Sequence, residues 1–306
     1  MAPKAVLLAV ALALAGCGLG PGEERQGGAE LRITRDFGRH RLAADKVARV
    51  REGQTVMRAL QAGHRVETRY GGRFVQSIDG LSGGGSRGGS DWFYFVNGIE
   101  AEVGAAERAL AVGDVVQWDY RRWRAAMRVP AIVGAYPEPF LSGAEGKRIP
   151  VRLECEDDRA PACEDVRRRL VGRGVPASSA RLGSEAGEGI LRVVVARWSV
   201  ARRLRAAFAL EGGPRRSGVF ARFSDGGRSL DLLDAGGRTV RRAPAGSGLV
   251  AATAQAGQRP VWIVTGLDSA GVEAAAAALE PATLRDAFAV AATPTGPVRL
   301  PVGEAG

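Results

Sequence analysis

The sequence predicts an α+β protein, with an N-terminal β-grasp-like domain followed by a C-terminal α+β domain built on a mixed sheet. Three observations predict it. The 306 residues, 45% of them hydrophobic, have room for two domains of about 100–200 residues each. Two alternating apolar/polar runs, one segment with helical spacing and several further alternating runs fill residues 30–123. Beyond residue 149, solid apolar runs such as "RVVVA" alternate with helical segments, the pattern of strands buried on both faces.

The order of elements starts from the N-terminus. "MAPKAVLLAVALALAGC" places one lysine before twelve apolar residues and then small residues, the layout of a secretory signal. Twelve apolar residues fall short of the roughly 20 needed to span a bilayer. The ending "LAGC" resembles a bacterial lipobox, which implies that Cys17 becomes the lipid-modified first residue of the mature chain. Residues 1–17 are therefore expected to be a lipoprotein signal peptide with its lipobox cysteine, and residues 18–29 a flexible, glycine-rich tether. The expected location is extracytoplasmic, anchored to the cell membrane by lipid. In that oxidising setting Cys155 and Cys163, the remaining even pair, are expected to form a disulfide.

"ELRITRDF" and "LAADKVARV" read as two strands, and Val56, Ala59, Leu60 and Gly63 share one helical face. "HRVETRY" and "RFVQSIDG" are two more strands around a "GG" turn. In "DWFYFVNGIEAEVG" the Asn97-Gly98 pair between alternating runs predicts a tight hairpin. "GDVVQWDYRRW" closes the series as a strand. Along these strands Trp92, Tyr94 and Val96 share a face, as do Val116, Trp118 and Tyr120. If that face is open, its rings form an aromatic platform for a planar or sugar-like ligand; if both faces are buried, the rings are core. The loop before the strand, "GLSGGGSRGGS", carries Arg87 as its one charge and reads as a flap over such a platform. Its formal G-x-G-x-x-G precedes an aromatic strand and not a helix, so no dinucleotide site is expected.

"RYGGRFVQSIDGL" and "DWFYFVNGIEAEVGAAERALAVGDVVQWDY" resemble the C-terminal domain of transcobalamin and intrinsic factor and its bacterial relatives, over about residues 30–123. The shared markers are the aromatic run before Asn97-Gly98, Gly104, Gly113-Asp114 and Trp118. The resemblance implies a β-grasp domain that packs against a ligand. It makes cobalamin or another corrinoid the named ligand, with no other cofactor expected; on the open-face reading of the strands and flap, the expected ligand-binding residues are Trp92, Tyr94, Asn97, Trp118, Tyr120 and Arg87.

Residues 124–148 carry three prolines and read as a linker or a strapped crossover. In residues 149–302 the expected elements are the strand "IPVRLEC", the helix "PACEDVRRRLVGRG", the strand "GILRVVVARW" and the helix "SVARRLRAAFALEGG". Strands come next in "SGVFARF", "RSLDLLDA" and "GLVAATA", then strand, helix and strand from "RPVWIVTG" through "LRDAFAVAA". Asp268 or Ser269 is placed to cap the last of these helices. No serine sits in a nucleophile elbow and no histidine follows His64, and His40 and His64 alone do not make a zinc site. The formal charge of +10 is spread over both halves: 16 basic against 12 acidic residues in 30–125, and 25 against 19 in 126–306. That spread argues against a nucleic-acid groove and fits an anionic envelope surface. The chain is expected to be a ligand-binding envelope protein and not an enzyme, its partners being the membrane and a small molecule or an envelope transport protein. The alternatives are an interaction module without a small-molecule site and a carboxylate-dependent envelope enzyme.

Overall fold

The computed structural model describes residues 26–84, 89–144, 146–184, 187 and 189–303. The signal segment, Cys17 and Arg87 lie outside the described residues, as does most of the tether. Among the described residues no helix is long and apolar enough to cross a membrane.

The fold is α+β. Its first unit opens with strands β1 (Ala29–Arg35) and β2 (His40–Val47), followed by helix α1 (Val56–Gln61). Thr55 caps α1 by accepting the Arg58 amide at 3.2 Å, which fixes where the helix starts. Strands β3 (Val66–Arg69), β4 (Phe74–Ile78) and β5 (Leu81–Ser82) form a small antiparallel sheet. Strands β6 (Ser90–Val96), β7 (Ile99–Glu100) and β8 (Val115–Arg122) join the main sheet in the order β2-β1-β8-β6-β7. β1 and β8 are parallel and the other neighbours antiparallel, the β-grasp arrangement. Asn97 (φ +55°) and Gly98 (φ +76°) form the two-residue turn between β6 and β7, with the two positive φ angles of a type I′ turn.

One face of this sheet packs Leu31, Ile33, Trp92, Tyr94, Val116 and Trp118 against Val56, Met57 and Leu60 of α1. The opposite face meets the second unit. There Phe95 packs edge-on to Phe288 at 5.4 Å, and Phe37, in the β1–β2 turn, touches Phe220 at 4.6 Å and Phe288 at 5.2 Å. The sheet is therefore covered on both sides.

The second unit contributes β9 (Val151–Cys155), helix α2 (Pro161–Gly172), β10 (Ala177–Arg181) and β11 (Leu191–Arg197). β12 (Ala221–Ser224), β13 (Ser229–Leu233) and β14 (Thr239–Arg242) make a separate three-stranded sheet. The chain continues through β15 (Gly248–Thr253), β16 (Val261–Gly266), helix α3 (Ser269–Ala277), β17 (Ala289–Thr293) and β18 (Gly296–Leu300). The main sheet runs β10-β9-β11-β16-β15-β17-β18, parallel from β10 to β16 and antiparallel beyond, so it is mixed. Alternation along β11 and β16 sends Val194, Ala196 and Ile263 towards the first unit, and Val193, Val195, Trp262 and Val264 under α2 and α3. That double burial is why these strands are apolar at almost every position. Asp268, not Ser269, caps α3, accepting the Gly271 amide at 2.7 Å. Cys155 and Cys163 form a disulfide between the end of β9 and α2.

The helix expected over 199–213 is instead a chain of short turns, Trp198–Ala201 and Arg205–Phe208, with Leu204 extended between them (ψ 129°). At 100° per residue, Trp198 and Ala201 lie on the opposite side of a straight helix from Ala207 and Leu210. All four are fully buried, so the segment bends to bury both sides. Within residues 124–148, the stretch 129–143 crosses between the units as a largely buried strap, with Val129 and Ile132 in one apolar cluster and Val133, Tyr136 and Phe140 in another.

A polar seam holds the first unit on the second. Arg32 donates to the Gly134 carbonyl at 2.8 Å, Gln117 to the Asp286 carbonyl at 3.1 Å, and Arg32 and Arg41 both pair with the Asp286 carboxylate. Gly38 (φ +74°) passes so close that a Cβ there would lie 1.7 Å from the Asp286 carbonyl oxygen, which only glycine permits. Fully buried Asp119 accepts the amides of Phe37 (3.0 Å) and Gly38 (2.9 Å). The Thr34 hydroxyl faces both the Trp118 carbonyl (3.0 Å) and Asp119 Oδ1 (2.6 Å) with one proton to give, and a neutral Asp119 supplies the second. Burial pushes the Asp119 carboxyl up to about 7. The folded chain keeps this proton where the unfolded chain, with a carboxyl near 3.9, releases it. The stabilisation is thus complete below about pH 4 and lost as pH rises through about 7. Urea titrations between pH 5 and pH 8 are expected to show a larger loss of stability for the wild type than for Asp119→Asn, whose amide does not titrate. Parallel profiles would show that Asp119 is ionised throughout.

Candidate functional site

The two units leave a cleft of about 840 Å³ between them. Its first wall is the sheet edge and the chain beyond it: Ile99 and Glu100 of β7, then Val103, Arg108, Met127 and Arg128. The sheet ends at the short β7, and the strap pairs along its outer edge through the Ile99–Ala131 bridge and the Glu100 amide, which donates to the Pro130 carbonyl at 3.1 Å, so the side chains of β7 and the strap line this wall together. Its second wall comes from the turn Pro214–Ser217, which presents Arg215 and Arg216, and from the β15–β16 connection at residues 254–260, which presents Gln255 and Arg259. A smaller recess of about 350 Å³ opens from the same mouth, sharing Glu100, Ala101, Val103, Met127 and Arg128, and runs towards Phe74, Trp92, Phe93, Tyr94 and Trp118.

The cleft is basic: five arginines line it against two glutamates. Glu100 is already engaged by Arg121 at 3.3 Å and Arg128 at 3.5 Å, and Glu102 by Arg128 at 3.2 Å. Arg215, Arg216 and Arg259 form no ion pair with a described residue, and Arg108 donates to the neighbouring Ala109 carbonyl at 2.9 Å. Val103 (47% exposed) and Met127 (56% exposed) stand at the junction of cleft and recess, among the few large apolar side chains left in solvent.

The expected aromatic platform is corrected. Trp92, Tyr94 and Trp118 keep only 4%, 9% and 2% of their surface, because their face is the one that packs on α1. They pair across strands: Tyr94 stacks on Trp118 (4.8 Å, 25°) and Trp92 leans on Tyr120 (5.3 Å, 56°), the partners that the β6–β8 register sets opposite one another. The polar ends of Trp92, Tyr94 and Tyr120 are also used. Trp92 Nε1 donates to the Leu81 carbonyl (2.9 Å), the Tyr94 hydroxyl to Val103 (2.6 Å) and the Tyr120 hydroxyl to Ser82 (3.0 Å). Burial raises the Tyr94 phenol to about 12. Asn97 is fully buried; its amide donates to Asp114 at 2.9 Å and to the Gly143 carbonyl at 3.0 Å, so it pins the hairpin to the strap. Of the expected ligand residues, Trp92, Tyr94 and Trp118 border the recess, while Asn97 and Tyr120 border neither space.

Other candidate chemistry is occupied. Cys155, Asp158 and Cys163 cluster within metal-ligand distance, but the two sulfurs are joined in the disulfide. Glu156 is paired with Arg197. His64 lies between Asp79 (Nδ1, 2.6 Å) and Asp45 (Nε2, 2.7 Å), tying β2 to the β4–β5 turn; burial opposes its charge, yet the two carboxylates raise its pKa.

Fold and site together define an α+β protein whose β-grasp unit is packed on a mixed-sheet unit, with a basic cleft at the junction. Residues 53–122 match the family described as "Domain of unknown function (DUF4430)". A solved chain from Ruminococcus gnavus ATCC 29149, described as a metal-binding candidate, is similar over 31% of this chain and 97% of its own, with 11% identity and a TM-score of 0.26. No curated protein matches the sequence.

Proposed function

We propose that this is an envelope lipoprotein that binds a small ligand in the cleft between its two units. The carrying observation is the cleft itself. Its volume of about 840 Å³ lies within the roughly 300–1,000 Å³ typical of ligand sites, and it sits between two packed units, where such sites are common. The resemblance of residues 30–123 to the transcobalamin C-terminal domain supports a small-molecule role, and a corrinoid therefore belongs among the ligands to try. The burial of Trp92, Tyr94 and Trp118 moves the expected contact from the sheet face to the sheet edge. Lipidation at Cys17, with residues 18–29 as a tether, would hold the cleft outside the membrane surface.

Ala256, exposed at the tip of the β15–β16 connection and lining the cleft, offers a test that spares both cores. Thermal-shift screening of the wild type against corrinoids, sugars, nucleotides and organic acids is expected to yield binders whose effect Ala256→Trp removes. Binders indifferent to Ala256→Trp would place the site elsewhere, and a panel without any response would favour an interaction module. For the anchor, Cys17→Ser is expected to shift the protein from the membrane to the soluble fraction. A wild type already soluble without detergent would contradict lipidation.

A further inference from the structure

We infer that the ligand of this cleft is an anionic amphiphile: a phosphate or carboxylate head held between the arginines, with an apolar tail directed into the aromatic recess. This rests on the cleft being the binding site and adds the chemistry of its occupant.

The head is assigned by charge. Arg108 and Arg128 belong to the first wall, and Arg215, Arg216 and Arg259 to the second, so arginines from both units line one open space. Like charges brought together in this way repel, and the two glutamates present are already spent on Arg121 and Arg128. Four of the five arginines have no carboxylate partner among the described residues. An anion with several acceptor oxygens would relieve the repulsion and bridge the units, and planar guanidinium forks suit phosphate and carboxylate.

The tail is assigned by the lining of the smaller space. The recess of about 350 Å³ is bordered mostly by apolar and aromatic residues, among them Phe74, Val75, Trp92, Phe93, Tyr94 and Trp118, with Arg73, Glu100 and Arg128 as its charged residues, and it meets the basic cleft at Val103 and Met127. Exposing a valine and a methionine to water at this junction has no packing benefit, whereas covering them with an alkyl chain removes apolar surface from water on both partners. The polar and apolar halves are contiguous, so one molecule can fill both.

Decyl phosphate carries both features; decanol and inorganic phosphate carry one each. Binding to the full chain would be followed by calorimetry and by tryptophan fluorescence, to which Trp92 and Trp118 at the recess contribute, with decyl phosphate below its micellar concentration. The inference predicts that decyl phosphate binds at least about tenfold more tightly than either fragment. The double variant Arg215→Gln/Arg216→Gln is expected to weaken decyl phosphate about tenfold or more while leaving decanol unchanged, and Met127→Asp to weaken decanol as well. Arg203→Gln/Arg205→Gln, exposed arginines outside the cleft, should change neither. Equal affinity for decanol and decyl phosphate, with no dependence on Arg215 and Arg216, would overturn the anion assignment and leave the cleft standing. Binding to anionic vesicles without saturable binding of decyl phosphate would overturn the inference in favour of a membrane contact. No response to decyl phosphate also overturns it, and the broad screen with Ala256→Trp then decides separately whether the cleft binds anything.

Discussion

Gly98→Val is expected to destabilise the first unit severely, removing a large part of its folding stability at 25 °C. The turn holds Gly98 at φ +76°, a region that a β-branched residue resists, and a Cβ there would lie 2.6 Å from the Ile132 carbonyl oxygen. The clash cannot be relieved locally. Ile132 is fully buried, and its own amide donates to the Gly98 carbonyl at 2.8 Å. Backbone strain of this kind costs about 1–3 kcal/mol, and forcing the strap away from β7 adds a comparable amount, against a total stability of about 5–15 kcal/mol. Circular dichroism should show loss of the cooperative transition, or a urea midpoint lowered by more than half. Gly98→Ala meets the same carbonyl without the β-branch and should lie between the variant and the wild type. A Gly98→Val protein with an unchanged midpoint would mean that the strap does not press on this turn.

Trp118→Ala is the second large effect. Its side chain is buried against α1 and stacked on Tyr94, so truncation should cost the roughly 3–5 kcal/mol of an aromatic deleted from a core. Trp92→Ala should be similar in size, since Trp92 also loses its bond to Leu81. Chemical denaturation distinguishes this from the open-platform expectation, under which either substitution would leave stability nearly intact and reduce only ligand affinity. Costs below about 1 kcal/mol for both would restore the platform.

Most of the fold was legible from local patterns. Alternation marked β1, β6 and β8, Asn97-Gly98 fixed the hairpin, and the apolar runs marked β11 and β16, because each of these signals is a direct consequence of which faces are buried. β10 ("ASSAR") and β14 ("TVRR") were not legible: they pair through the backbone at sheet edges and bury little, so nothing apolar betrays them. The orientation of the aromatic face was not legible either. Period-two alternation says which rings share a face, but α1 or a second domain could cover it, and here both faces are covered. The cleft was the least visible feature. Arg108, Arg215, Arg216 and Arg259 come from segments up to 151 residues apart and do not stand out among 40 arginines. Only the packing of the two units brings them together. Exposure of Met127 and Val103 is likewise a property of the assembled junction and not of the sequence around them.

Hydrogen–deuterium exchange of the protein with and without a saturating ligand tests the central claim most directly, since it reports where the chain is covered. Ligand binding in the cleft predicts slowed exchange in residues 99–103, 127–130 and 254–260, on both walls, with the amides of β6 and β8 unchanged within their already protected core. Saturated binding that leaves all three segments unprotected, or that protects one wall alone, would contradict a site built between the two units.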